Sequence, residues 1–207
     1  MRLSLPRIYP LTDVQISGLS HAEQVIRLSE GGATLIQVRE KNAPASEFFI
    51  EAQKAVVIAR QRGVRLVIND RVDIALALRA DGVHLGQDDL PPEAARDLLG
   101  PEAVIGFSTH SVEQASQAVR FRIDYLAIGP IFPTTSKTNS EPPVGLEKLR
   151  EVRRAVGNLP IVGIGGITYE NARSVIEAGA DSVAVISALL DRPNQISSQT
   201  QSLISLL

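Results

Sequence analysis

The chain has 207 residues, with 21 basic against 23 acidic side chains and a net charge of -2. Such a balance excludes the basic footprint of a nucleic-acid binder and the polybasic anchor of a membrane-surface protein, so any anion site has to be local. Apolar residues make up 44%, with five Phe, three Tyr, no Trp and no Cys. The core is therefore aliphatic, as parallel strands under helices require, and neither a disulfide framework nor a thiolate metal site can form. The opening MRLSLPRIYPL is broken by Pro6 and Pro10, and no run approaches the ~20 apolar residues of a membrane span. The expectation is one domain over residues 1–207, cytoplasmic, with no internal boundary.

Short apolar runs closed by turn chemistry read as buried parallel strands, and 3.6-residue periodicity between them reads as helices. The first strand is expected over Arg7 to Leu11, ending at Thr12-Asp13, and the first helix from about His21 to Gly31-Gly32. A second strand, Thr34 to Val38, ends in Arg39-Glu40-Lys41-Asn42. The next helix runs from about Ala45 to Arg62, with Pro44 suited to its first turn and Gly63 breaking it. Leu66-Val67-Ile68, closed by Asn69-Asp70, is the third strand. Val72 to Leu78 carries helical spacing, and Val83-His84-Leu85 is the fourth strand, stopping at Gly86-Gln87-Asp88-Asp89. A helix through Ala94, Ala95, Leu98 and Leu99 leads to strand five, Val104 to Phe107, closed by Ser108. A helix over Val112 to Val119 precedes strand six, Tyr125 to Ile128. Four prolines exclude a helix from the long segment Pro130 to Val144, and a loop of that length in a compact domain points to function. A helix over Leu146 to Val156 follows, then strand seven over Pro160 to Ile164, the Gly165-Gly166 turn and a helix over Thr168 to Ala178. Strand eight spans Ser182 to Ile186, and Ser187 opens the last helical region. The tail NQISSQTQSLISLL is expected to add an amphipathic turn or two. Eight strands alternating with eight helical patterns predict a (β/α)8 TIM barrel, with an open doubly wound sheet as the competitor.

Active groups of such a barrel lie at the C-terminal ends of its strands. Strand two offers Gln37, Arg39 and Lys41; strand three, Asn69 and Asp70; strand four, Asp88 and Asp89; strand five, Ser108. The loop after strand six offers Thr134, Thr135, Ser136 and Lys137, and strands seven and eight end in Gly165-Gly166 and Ile186-Ser187. Cations, carboxylates, hydroxyls and bare backbone N–H groups on one rim describe a site for phosphorylated ligands plus Mg2+. The plainer alternative makes Asp70, Asp88 and Asp89 helix caps, the cations solvated surface groups and the glycines simple turn residues. His84, in the middle of an apolar run, reads as a satisfied core histidine. His110, just past Ser108, is the one histidine placed for acid/base work. No Ser/His/Asp triad, His/Glu metal cluster or dinucleotide glycine fingerprint is present.

The motifs IQVREK (Ile36 to Lys41), VIND (Val67 to Asp70), HLGQDD (His84 to Asp89), GFSTHS (Gly106 to Ser111), GPIFPTTSK (Gly129 to Lys137), VGIGGI (Val162 to Ile167) and the ISALL segment from Ile186 resemble the thiamine phosphate synthase family, in its order and over nearly the whole chain. The resemblance implies a (β/α)8 barrel that joins hydroxymethylpyrimidine diphosphate to thiazole phosphate and releases pyrophosphate with Mg2+, by a dissociative mechanism. It implies that Asp70 and Asp89 bind the metal. Arg39, Lys41, Asn69, Ser108 and Lys137 would hold the diphosphate, with Lys137, Arg39 and Ser108 carrying the catalysis and Gln37 near the pyrimidine. Thr134, Ser136, Gly166, Ile186 and Ser187 would hold the thiazole phosphate. Ser136 departs from the family's usual Thr in P-T-x-T-K, keeping the hydroxyl. Partners are then small molecules, with neither nucleic acid nor membrane, and a homo-oligomer is compatible with this reading. Two rivals remain at this point: the related thiazole tautomerase, an isomerase using a His near the end of strand five, here His110, and a non-catalytic phosphate-ligand sensor.

Overall fold

The computed structural model describes residues 5–134 and 142–207. Its parallel strands are β1 (Ile8–Thr12), β2 (Leu35–Val38), β3 (Arg65–Asn69), β4 (Gly82–Leu85), β5 (Val104–Thr109), β6 (Tyr125–Ile128), β7 (Ile161–Ile164) and β8 (Ser182–Val185). They pair in chain order, and β8 pairs back onto β1, so the sheet is a closed barrel as expected. Around it run α1 (Val14–Ser17), α2 (His21–Glu30), α3 (Ala45–Gln61), α4 (Val72–Leu78), α5 (Pro92–Leu99), α6 (Val112–Ala118), α7 (Gly145–Val156), α8 (Ala172–Glu177), α9 (Ser187–Leu190) and α10 (Ile196–Leu206). No helix among the described residues is long and apolar enough to cross a membrane.

The strands read as continuous apolar runs because both of their faces are buried. One face fills the barrel with Tyr9, Leu11, Leu35, Val67, Val104 and Tyr125. The other, including Ile36, Ile68, Leu85, Ile105 and Leu126, meets the helices through residues such as Leu28, Ala52, Ala75, Leu149 and Val175.

Three elements depart from expectation. Asp13 caps an extra helix, α1, its carboxylate accepting from the N–H groups of Gln15 and Ile16. The helix predicted from Thr168 starts only at Ala172, because the Asn171 side chain accepts from Thr168 N at 2.8 Å and donates to Gly166 O at 2.9 Å, closing a turn instead. The tail forms the 11-residue α10 rather than a turn or two. Isolated propensity understates it, since Ile196, Thr200 and Leu203 are buried and Ser197 Oγ donates to Arg27 O on α2 at 2.8 Å.

At the N-terminal rim, the aspartates that precede β4, β6 and β8 each grip the start of the preceding strand. Asp81, Asp124 and Asp181 accept from Leu66 N at 2.7 Å, Ile105 N at 2.8 Å and Ile161 N at 2.8 Å. Asp124 also binds Arg96 Nη2 at 2.7 Å. Removing that carboxylate orphans a strand N–H and takes the carboxylate partner from a mostly buried guanidinium that keeps its bonds to backbone carbonyls, at a cost of about 1–3 kcal/mol. Asp124→Ala should therefore lower the Tm while leaving ligand affinity at the opposite rim unchanged, as thermal unfolding and ligand titration of the same variant would report.

Candidate active site

The C-terminal rim opens into a cavity of about 590 Å3, within the ~300–1,000 Å3 typical of small-molecule sites. Gln37, Arg39 and Lys41 reach it from β2, and Asn69 and Asp70 from β3. Asp88 and Asp89 enter after β4, Ser108 from β5, and Thr134 after β6. Gly165 and Gly166 after β7, and Ile186 and Ser187 after β8, complete the ring. The structure thus gathers every predicted site residue it describes; Thr135, Ser136 and Lys137 lie outside the described residues.

The acidic side of the mouth does not cap helices. Asp70 stands in the left-handed region at φ 60°, which aspartate tolerates better than most residues, and its N–H donates to His84 O at 2.8 Å. The N-cap position of α4 belongs to Arg71 and that of α5 to Pro91, neither with a side-chain cap bond. Freed from that task, the Asp70 carboxylate pairs with Lys41, while Asp89 Oδ2 accepts from Gly86 N at 2.6 Å. Burial pushes the Asp89 carboxyl above its ordinary value; the Gly86 N–H opposes this, and the charge and hydrogen bonding of Asp70 add to the rise. Two carboxyl groups thus face one another with less positive charge than they need. A hard divalent cation would supply it. No cluster of three or more metal-ligating side chains exists among the described residues. Two carboxylates suit Mg2+, which keeps waters and substrate oxygens in its shell, better than an ion that demands an all-protein cage.

The cationic side is built more firmly than its sequence suggests. Arg39 Nη1 donates to Asp13 Oδ2 at 2.9 Å, and its backbone N–H donates to Thr12 Oγ1 at 3.2 Å. Glu40 Oε1 accepts from the N–H groups of Lys41, Asn42 and Ala43 at 2.8, 2.7 and 3.2 Å, fixing the loop that carries Lys41. Behind both, His21 Nδ1 meets Thr12 Oγ1 at 2.8 Å, with Nε2 3.6 Å from Glu40 Oε2. Asp13, Glu40 and His21 were not singled out from the sequence. The signal was present in the adjacency of Asp13 and Glu40 to strand ends, but which cation each serves is a matter of neighbouring strands.

Across the mouth, Gly165 and Gly166 take φ values of +100° and +64°, and a side chain at Gly166 would lie 2.5 Å from Pro133 O. Glycines in such a turn leave their backbone N–H groups uncovered by side chains, and turns of this kind can form concavities that suit a phosphate. The helix dipole expected directly behind them is absent, because α8 begins later, at Ala172. His110 Nδ1 lies 2.6 Å from Gly129 O, which fixes its ring at the edge of the cavity. His84 is buried and hydrogen-bonded as expected of a core residue, yet it also lines the cavity, and its Nε2 meets Ser108 Oγ at 2.9 Å. Gln37 Oε1 and Asn69 Nδ2 are buried without a hydrogen-bond partner among the described residues. An acceptor and a donor left open in a concave mouth await a ligand's polar atoms.

Residues 8–189 match the family described as Thiamine monophosphate synthase. The chain belongs to the thiamine monophosphate synthase family. A "Thiamine-phosphate synthase" of Koribacter versatilis is 48% identical over 204 residues, covering 95% of each chain. One from Roseiflexus sp. is 46% identical over 188 residues, covering 90% of this chain and 79% of the relative. Among solved structures, the thiamine phosphate pyrophosphorylase from Pyrococcus furiosus superimposes with a TM-score of 0.86 at 38% identity, covering 97% of this chain and 94% of that one.

In this family member, burial holds the His21 imidazole below its usual pKa of 6.5, and nearby Glu40 only partly restores it. The folded protein therefore resists a proton that the unfolded chain accepts, and stability present above pH 6.5 is lost as the pH falls below it. Urea titrations at pH 7.5 and 5.5 should show a lower unfolding free energy at the acid value, and His21→Gln should flatten that slope.

Proposed function

We propose that the protein joins 4-amino-2-methyl-5-hydroxymethylpyrimidine diphosphate to thiazole phosphate, in its 2-carboxy or decarboxylated form, giving thiamine phosphate and pyrophosphate with Mg2+ bound by Asp70 and Asp89. That the chain is an enzyme of thiamine phosphate synthesis follows from its family and its relatives. The observation that carries the finer reading is the under-compensated carboxyl pair facing Arg39 and Lys41 in one mouth.

Arg39 forks two diphosphate oxygens, and Lys41 gives up Asp70 to meet a third. Ser108 and Asn69 donate from the floor, Lys137 belongs to the same group by resemblance, and Gln37 Oε1 accepts from the pyrimidine's exocyclic amine. Mg2+, when bound, neutralises charge building on the departing pyrophosphate. The methylene C–O bond breaks with its electron pair leaving on pyrophosphate. The aminopyrimidine spreads the resulting positive charge, and the thiazole nitrogen lone pair forms the new C–N bond. Thr134, Ser136, Gly166, Ile186 and Ser187 hold the thiazole phosphate so that this nitrogen faces the carbon. No proton has to move in the bond exchange, which agrees with catalysis by positioning and charge rather than by an activated nucleophile. A single-substrate isomerase using His110 would leave Arg39, Lys41, Asp70 and Asp89 without work. The whole chain acts as one barrel domain on small molecules, and its biosynthetic chemistry supports a cytoplasmic location.

Incubation with both substrates and Mg2+ should yield thiamine phosphate, stop on chelation and resume when Mg2+ is restored; binding without product would favour a sensor. Asp89→Asn should cut turnover by on the order of 10²–10³-fold while the Tm stays level or rises, since repulsion with Asp70 is relieved. Unchanged turnover in that variant removes the metal assignment.

A further inference from the structure

Five side chains from β1, β2, β4, β5 and β6 touch end to end across the barrel floor. Gln37 Nε2 donates to Tyr9 OH at 3.2 Å, Tyr9 OH meets Tyr125 OH at 3.0 Å, Tyr125 OH meets His84 Nδ1 at 2.9 Å, and His84 Nε2 meets Ser108 Oγ at 2.9 Å. The contact between β4 and β6 exists because both His84 and Tyr125 are in register with Gly106 on the strand between them. A Cβ at Gly106 would come within 2.1 Å of Tyr125 Cζ and 2.5 Å of His84 Nδ1. With no side chain there, the imidazole and phenol rings stack at 5.6 Å and 21°.

Hydrogen counting gives this row a direction. Burial raises the pKa of Tyr9 and of Tyr125, so each keeps its single hydroxyl hydrogen. An amide nitrogen only donates. With Gln37 Nε2 donating to Tyr9, the acceptor that these contacts offer the buried Tyr9 hydrogen is Tyr125 OH, and the one they then offer the Tyr125 hydrogen is His84 Nδ1. The imidazole proton then sits on Nε2 and points at Ser108 Oγ, whose own hydrogen is left for the cavity. Were the Gln37 carbonyl to face Tyr9, every bond would reverse, and Ser108 would spend its hydrogen on His84.

We propose that His84 is a positioning residue, held by the Gln37–Tyr9–Tyr125 row as the neutral Nε2–H tautomer so that Ser108 presents a hydroxyl donor to substrate. The row also couples the residue assigned to the pyrimidine, Gln37, with the one assigned to the diphosphate. The tautomer stands on this geometry alone; its use in turnover rests on the proposed function.

Long-range 1H–15N NMR of the ligand-free protein labelled at histidine tests the tautomer. There are three histidines, and His84→Gln identifies the His84 signals by their loss. A pyrrole-like Nε2 and a pyridine-like Nδ1 are expected; the opposite pattern overturns the assignment. Gln37→Glu at alkaline pH places an acceptor-only group at the head of the row and should move the His84 proton to Nδ1. Tyr9→Phe, a small change in volume, should cut the row and mix the tautomers. An unchanged His84 spectrum in both variants overturns the coupling. In turnover, His84→Asn, which matches only the Tyr125 side, should lose roughly tenfold in kcat/KM, about the worth of one hydrogen bond, and His84→Gln should recover most of it. Ser108→Ala should cost little more in the His84→Asn background than that background already costs; equal losses in the Asn and Gln variants, or full additivity with Ser108→Ala, overturn the positioning role. Absence of thiamine phosphate from the unaltered protein would refute the proposed function and leave the spectroscopic result standing.

Discussion

Parallel hydrogen bonding from β1 round to β8 and back again obliges every strand to end on the same rim, and the rest of the molecule follows from that obligation. Residues far apart in the chain become neighbours because their strands are neighbours, as Asn69 on β3 does with His84 on β4. The two rims then take different work. At the N-terminal rim, Asp81, Asp124 and Asp181 are used up in gripping strand N–H groups. At the C-terminal rim, Asp70 and Asp89 are spared from helix capping and left for chemistry. The same residue type serves stability at one end and charge at the other, according to which end of a strand it flanks.

Charge at the mouth is arranged in half-satisfied pairs. Asp13 holds Arg39 in a mostly buried pair, and Asp70 holds Lys41 in one that is partly open to solvent. A pair of the second kind contributes only about 0–1 kcal/mol, so it keeps Lys41 in place without making it costly to redirect. Loop geometry is held more tightly than the ammonium itself, since Glu40 collects three backbone N–H groups beside Lys41. The result is a site whose skeleton is rigid and whose charges are ready to be exchanged for those of a ligand, which is how electrostatic preorganisation works.

Beneath the charges lies a neutral polar floor. Tyr9, Tyr125 and His84 occupy barrel positions that aliphatic residues fill on other strands. Each of these three satisfies the next, as members of a buried network have to, while Gln37 Oε1 and Asn69 Nδ2 beside them stay without a partner among the described residues. Gly106 makes this possible by contributing nothing: the gap over β5 is where two rings meet.

All eight strands and the rim positions among the described residues were legible in the sequence, because an apolar run closed by polar turn residues marks a buried strand wherever it occurs, and strand ends declare which residues lie at the mouth. The later start of α8, the length of α10 and the capping of α1 were not, since Asn171, Ser197 and Asp13 act through partners that only folding brings near. His84 shows the same boundary from the side of function. Local pattern placed it correctly inside a strand, but its bond to Ser108 and its stack on Tyr125 depend on barrel register and on an empty position at Gly106. Sequence by itself determined which residues lie on strands, which end them and what charge they bring. Tertiary structure decided which of them touch, because hydrogen bonds and ion pairs between strands are set by distances that no one-dimensional spacing contains.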